Sequence, residues 1–186
     1  MVTLVLSDVL GDPLPDIGSG PTVRSSTTAA DALGVLGGLA LVADLSREHG
    51  REAGVYPEIK RPAWHKSEGV DIAPLLLEEL AAAGYAGRED PVFVQCFDAD
   101  EVRRLKNELE CPYKLVQLIG NNSWLEALTN YDVLRSPEGI AGIAEVADGI
   151  GPHLSHLAEL EVVDGVPVAT DLAQLARDAG LVIHPS

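Results

Sequence analysis

The sequence predicts an α/β fold, a partial (β/α)8 barrel with about five parallel βα units of the eight. Three observations lead there. Short apolar runs alternate with amphipathic stretches of about ten to fourteen residues, the rhythm of parallel βαβ units. Successive runs end in polar or special residues: Glu58 and Lys60, then Gln95, Gln117, Gly151 and His184. In a (β/α)8 barrel those strand ends form the functional face. No G-x-G-x-x-G or P-loop pattern follows any run, so a doubly wound nucleotide fold lacks its fingerprint.

The elements follow in order. Residues 1–24 are turn-rich, punctuated by Gly11-Asp12-Pro13 and Gly18-Ser19-Gly20-Pro21, with room for a short strand at 3–6. Residues 28–49 read as an Ala-rich helix weakened by Gly34, Gly37 and Gly38. We treat residues 1–50 as a segment apart from the barrel portion, residues 51–186. Residues 55–60 form the first strand, and 71–84 a helix stopped by Gly84. Residues 92–97 form the second strand. Asp98 caps a helix over 99–110, with Asp100 and Glu101 in its first turn. A third strand spans 115–119. Ser136-Pro137 opens a helix to Ala147, serine as cap and proline in the first turn. A short strand covers 148–152, and a turn sits around Asp164-Gly165. Thr170 caps a helix to Ala179, Gly180 ends it, and 181–184 is the last strand.

Composition narrows the function classes. The net charge of -16 repels phosphate backbones, so nucleic acid is not expected as a partner. No run reaches the ~20 apolar residues of a membrane span. The first residues carry no basic region followed by an apolar core, so a cytoplasmic location is expected of the chain as written. Two cysteines cannot make a disulfide framework: Cys96 reads as a small core residue and Cys111 as a more exposed one.

Side chains alternate along a strand, so Glu58 and Lys60 share a side. A carboxylate there can bind a hard cation, and a lysine beside it an anionic phosphate. The alternative is a plain ion pair at the mouth of the strand. His153 and His156 are three apart, a spacing open to a metal pair on a helix, but a solvated or capping pair accounts for them as well.

The motifs around that pair go further. Tyr56-Pro57-Glu58-Ile59-Lys60, followed by Trp64-His65-Lys66-Ser67-Glu68-Gly69, resembles the glycerophosphodiester phosphodiesterase family in its bacterial periplasmic branch. The resemblance continues through Gln95-Cys96-Phe97-Asp98-Ala99-Asp100-Glu101, Leu115-Val116-Gln117-Leu118-Ile119, Ala147-Asp148-Gly149-Ile150-Gly151-Pro152 and Leu181-Val182-Ile183-His184-Pro185. It implies a (β/α)8 barrel that hydrolyses a small-molecule glycerophosphodiester to glycerol 3-phosphate and an alcohol. It also implies a divalent cation, Ca²⁺ or Mg²⁺, and histidines as general acid and base. In that scheme Glu58 is a metal ligand and Lys60 a phosphate contact. Phe97 and His184, at later strand ends, line the substrate pocket.

The family's His-Arg-Gly, Glu-x-Asp and His-Asp motifs do not occur in these 186 residues, so no catalytic histidine is identified. A full barrel takes about 250 residues. The chain therefore reads as a member truncated at both ends. The alternative to a working hydrolase is an inactive remnant or non-catalytic binding module of the same fold. Relatives of the full-length type are periplasmic or secreted. Oligomerisation is a way to close the two open sheet edges.

Overall fold

The computed structural model describes Val42 and residues 47–50, 54–163 and 166–185. The expected strand at 3–6 and most of the helix at 28–49 lie outside the described residues. Val42 and residues 47–49 are helical.

Five parallel segments lie side by side in sequence order. Residues 54–60 come first, bridging Val55 to Val92 and Glu58 to Gln95. Helices α1 (Pro62–Ser67) and α2 (Ile72–Ala82) lead to β1 (Phe93–Cys96). Helix α3 (Ala99–Asn107) leads to β2 (Lys114–Ile119). Helices α4 (Tyr131–Leu134) and α5 (Pro137–Ala144) lead to β3 (Gly149–Pro152). A hairpin of β4 (Ala158–Val163) and β5 (Val166–Ala169) intervenes before α6 (Asp171–Asp178) and β6 (Val182–Ile183). The main sheet runs β1-β2-β3-β6, all parallel, with 54–60 flanking β1. The order never reverses, as it would at the switch point of a doubly wound sheet.

Burial separates the two faces. Val55, Ile59, Val94 and Leu115 pack outward with Leu80 of α2 and Leu105 of α3. Farther along, Ile119 and Ile150 pack with Tyr131, Ile140 and Leu172. Alternation then sends Tyr56, Glu58, Lys60, Phe93, Gln95, Val116, Leu118, Val182 and His184 to the opposite, inner face. Gly149 and Gly151 leave that face of β3 bare.

The inner face curls like a barrel. Across four strand spacings of about 4.8 Å, a flat sheet would hold its outer segments roughly 19 Å apart. Yet Tyr56 Oη lies 3.1 Å from His184 Nδ1. The stagger is measurable as well. Continuing the observed pairing places Lys60 opposite Phe97, Phe97 opposite Leu118, Leu118 opposite Gly151 and Gly151 opposite His184. His184 therefore shares a rung with Lys60 but touches Tyr56, four residues earlier. That is one residue of slip per strand step, the slip of an eight-stranded barrel of shear 8. The expected partial (β/α)8 architecture is the observed one.

Several local expectations hold. Asp98 Oδ1 accepts from the N–H groups of Asp100 at 3.0 Å and Glu101 at 3.4 Å. Ser136 Oγ accepts from Gly139 N–H at 3.0 Å. Gly84, with φ of +95°, follows the end of α2.

Others are corrected. The first strand is two rungs rather than a continuous ladder. Val55 and Ile59 donate to Pro91 O and Gln95 O, and Phe93 and Gln95 donate back to Val55 O and Pro57 O. The rung missing from this series is the one Pro57 would donate to Phe93 O, and proline has no N–H. The turn expected at Asp164-Gly165 lies outside the described residues, and the antiparallel strands β4 and β5 on either side of it were not expected. The helix after Ser136 ends at Ala144, short of Ala147. Thr170 occupies the cap position of α6, but its hydroxyl donates to His156 O at 2.5 Å instead of capping. Cys111 is buried, its N–H bonded to Leu105 O at 2.8 Å.

The bare inner face of β3 has a measurable consequence. A Cβ on Gly151 would stand 2.5 Å from Leu118 Cδ2 and 3.3 Å from His184 O. Gly151→Ala should destabilise the fold by about 1–3 kcal/mol, read as a lower urea midpoint at unchanged slope.

Candidate active site

The segments after the parallel strands gather at one end of the sheet. There the first segment delivers Glu58 and Lys60, both exposed and on one side of the strand. Phe97, one residue past β1, stands opposite Lys60. Its half-buried ring lies edge-on to Trp124 at 6.3 Å and to Tyr131 at 6.1 Å between centroids. The structure thus brings Glu58 and Lys60 to one end of the inner face, while the Phe97 ring, at the same strand end, turns to the cluster around Tyr131.

His184 sits lower on that face, at the level of Tyr56. Its ring packs edge-on against Phe93 at 4.9 Å and Tyr56 at 5.4 Å. Lys114 Nζ lies 5.1 Å from the Phe93 ring centroid, a cation over an aromatic face. Burial holds the His184 imidazolium pKa below its ordinary value and pushes the Tyr56 phenol well above its own. Both groups are therefore held neutral at pH 7, joined by one hydrogen bond. Sequence reasoning quoted Tyr56 without giving it a role. Its alternation with Glu58 and Lys60 was the signal.

Ion pairs fix the segment that follows Lys60. Glu101 is a buried carboxylate, 3% exposed, in the first turn of α3. It receives Lys66 of α1 at 2.5 Å and Arg104 at 2.7 Å. Arg104 also grips Asp71, just before α2, at 2.5 and 3.1 Å. The hydrogen bond from Arg104 is the main reason the Asp71 carboxyl stays below its usual range. Glu101 ties α1 to α3 through Lys66, and Arg104 ties α3 to the start of α2 through Asp71, so α1, which carries Trp64 and His65, is anchored beside Lys60. Burial lowers the His65 pKa.

A cleft of about 190 Å³ is lined by Arg61, Trp64, Asp98, Leu125, Glu126 and Leu128 among others. Beyond it, Arg135 Nη1 and His156 Nε2 each lie within 3.2 Å of Gly120 O. His153 Nδ1 meets Ser155 Oγ at 2.8 Å. This histidine pair is thus engaged in the loop framework, on a 3-10 turn. Among the described residues no three His, Cys, Asp or Glu side chains converge closely enough to hold a metal ion. Glu58 is therefore a single candidate ligand, and the described residues do not make up a complete cation site. No helix among them is long and apolar enough to cross a membrane.

The fold and this site define a class: a portion of a parallel (β/α)8 barrel with charged residues at the C-terminal ends of its strands. Comparison with known proteins makes it particular. The model of the glycerophosphoryl diester phosphodiesterase family matches residues 26–185. A glycerophosphodiester phosphodiesterase of Haemophilus influenzae is 34% identical over 160 residues, 76% of this chain and 43% of that protein. One of Treponema pallidum is 36% identical over 163 residues, 78% of this chain and 45% of that protein. The chain belongs to the glycerophosphoryl diester phosphodiesterase family. It spans less than half the length of these curated relatives. A domain of unknown function, DUF4147, matches residues 1–49. A glycerate kinase of Rattus norvegicus is 51% identical over 47 residues, 25% of this chain and 9% of that protein.

The histidines give a pH dependence. His65, His156 and His184 are all held below their ordinary pKa, burial being the largest cause in each. A depressed histidine contributes stability that is whole above its unfolded value, near 6.5, and is lost as pH falls through the folded one. The urea midpoint should therefore fall as pH drops from about 7 to 5. His184→Asn should flatten that decline, and an unchanged slope would contradict its burial against Tyr56 and Phe93.

Proposed function

We propose that this chain serves phosphodiester hydrolysis of the glycerophosphodiester phosphodiesterase type, taking a glycerophosphodiester and releasing glycerol 3-phosphate and an alcohol. The observation that carries this reading is the placement of Glu58 and Lys60 together at the mouth of the inner face, within a chain of this family. Lys60 contacts the phosphate as a point charge. Glu58 offers one carboxylate to a divalent cation, Ca²⁺ or Mg²⁺, a hard ion that takes oxygen ligands. Such a cation would neutralise the diester and polarise its phosphorus–oxygen bonds. The described residues supply no further ligands, and no step is derived through it. His184, bonded to Tyr56, lines the floor of the inner face, and Phe97 supports the loop at its upper end through Trp124 and Tyr131.

We also propose that residues 1–50 are distinct in origin from the barrel portion, which the separate match over 1–49 supports. Val42 is nonetheless buried in one cluster with Val55 and Ile59, and the family model begins at residue 26, within this segment.

A second reading, a non-catalytic binding module, is favoured by the lack of converging metal ligands among the described residues. One assay separates the two: release of glycerol 3-phosphate from glycerophosphocholine by the purified chain in Ca²⁺ or Mg²⁺. The hydrolase reading expects release that drops by about 10–100-fold in Glu58→Gln, with a raised KM in Lys60→Ala. Binding of glycerol 3-phosphate without any release establishes the module instead.

A further inference from the structure

Three rings meet on the inner face, at a lower level than Glu58 and Lys60. Tyr56 lies edge-on to Phe93 at 6.1 Å between centroids and to His184 at 5.4 Å, and Phe93 lies edge-on to His184 at 4.9 Å. Aromatic pairs favour this geometry, so each ring restrains the other two. The backbones are held as well. Gln95 Nε2 donates to Tyr56 O at 3.2 Å, and His184 N–H donates to Ile150 O at 2.9 Å. Tyr56 Oη and His184 Nδ1 therefore meet at 3.1 Å from two fixed points, 128 positions apart in the chain.

The bond between them has a direction. A neutral imidazole carries one N–H and one bare nitrogen, and a phenol carries one O–H. Neither Tyr56 Oη nor His184 Nε2 has another hydrogen bond among the described residues. If Nδ1–H donated to Oη, two groups would be left over, the phenol O–H and the bare Nε2. If Oη–H donates to Nδ1, one group is left over, the Nε2–H. The second arrangement wastes less hydrogen-bonding capacity. It also pairs the more acidic donor, the phenol, with the more basic acceptor, the imidazole nitrogen. The partner at Nδ1 thus decides where the ring proton sits.

The remaining Nε2–H is open to a ligand. Tyr131 Oη is the one sealed side-chain nitrogen or oxygen without a hydrogen bond among the described residues, so the unbonded Nε2 of half-buried His184 reaches open space. The ring stands on the inner face with Tyr56 and Phe93, the side to which alternation also sends Glu58 and Lys60. A donor already fixed in direction needs no reorganisation when an oxygen arrives.

We propose that Tyr56 is a positioning residue that holds His184 as the Nε2–H tautomer, so that the imidazole presents a fixed, uncharged donor to an acceptor oxygen of a ligand on the inner face. The ligand rests on the phosphodiester reading of Glu58 and Lys60, which makes that oxygen one of the phosphate or of a glycerol hydroxyl. The tautomer stands on the contacts alone.

Long-range proton–nitrogen NMR of the full 186-residue chain, labelled at histidine, tests it at about pH 8, where an ordinary histidine is neutral. His184→Gln identifies the His184 signals and keeps an amide donor in place of Nε2–H. The unsubstituted chain should show His184 protonated at Nε2 and bare at Nδ1. Tyr56→Phe keeps the ring, removes the hydroxyl and should show both tautomers. Glycerol 3-phosphate should shift the Nε2 signal, and inorganic phosphate and glycerol, titrated separately, tell which oxygen does so. By calorimetry, Tyr56→Phe should weaken glycerol 3-phosphate binding by about two- to tenfold. In the His184→Gln background, which has no tautomer to set, the same substitution should cost nothing further. Protonation at Nδ1 in the unsubstituted chain, or an Nε2–H tautomer that survives Tyr56→Phe unmixed, would overturn the assignment. Equal losses in the two backgrounds give Tyr56 a purely structural role and overturn it as well. Glycerol 3-phosphate that binds without moving the Nε2 signal removes the donor role and leaves the phosphodiester reading in place. The expected tautomer with no binding of any of the three ligands keeps the role of Tyr56 and removes the phosphodiester reading.

Discussion

A slip of one residue per strand step governs the whole arrangement. It follows from tilting twisted parallel strands around a curved surface. Because of it, His184 meets Tyr56 rather than Lys60, although His184 and Lys60 share a rung. The histidine is drawn down onto the aromatic floor formed by Tyr56 and Phe93. The lysine stays high, at the open end. Without the slip, the His184 imidazole and the Lys60 ammonium would face each other and leave no level separation between floor and mouth.

A second constraint is electrostatic. The chain is strongly acidic, yet the α1–α3 region spends two of its cations on two carboxylates: Lys66 and Arg104 on Glu101, and Arg104 again on Asp71. Glu101 is nearly sealed from water, so its charge has to be matched locally. The match is made by Lys66 of α1 and Arg104 of α3. The network therefore ties α1 to α3. Lys60 and Arg61, just before α1, stay exposed at the mouth.

The sequence made the local features plain because local rules decide them. Asp98 and Ser136 are caps wherever an apolar helical stripe follows, and five apolar runs of strand length mark five strands. Glu58 and Lys60 fall on one side by alternation alone. Features that depend on distant partners were not legible. Tyr56 and His184 are separated by 128 positions, and only the stagger of five strands brings them together. The fate of Tyr131 Oη depends on how α4 packs under the loop after β2, which no periodicity encodes. Cys111 looked exposed beside Pro112, but the turn it occupies folds back onto Leu105. The strands β4 and β5 had a usable signal, alternation on both sides of Asp164-Gly165, that was read as a turn alone.

Pro57 has an effect on attachment as well as on pairing. The missing donor at its nitrogen divides the first segment into a lower rung at Val55 and an upper rung at Ile59. The Pro57 carbonyl still accepts from Gln95 N–H, so at Pro57 the two rungs are joined by one ladder bond where another residue would allow two. The upper rung carries Glu58 and Lys60 on an edge with few hydrogen bonds. The charged tip thus hangs from the Ile59 N–H bond to Gln95 O, while the Val55 rung is packed beneath α2 and α3.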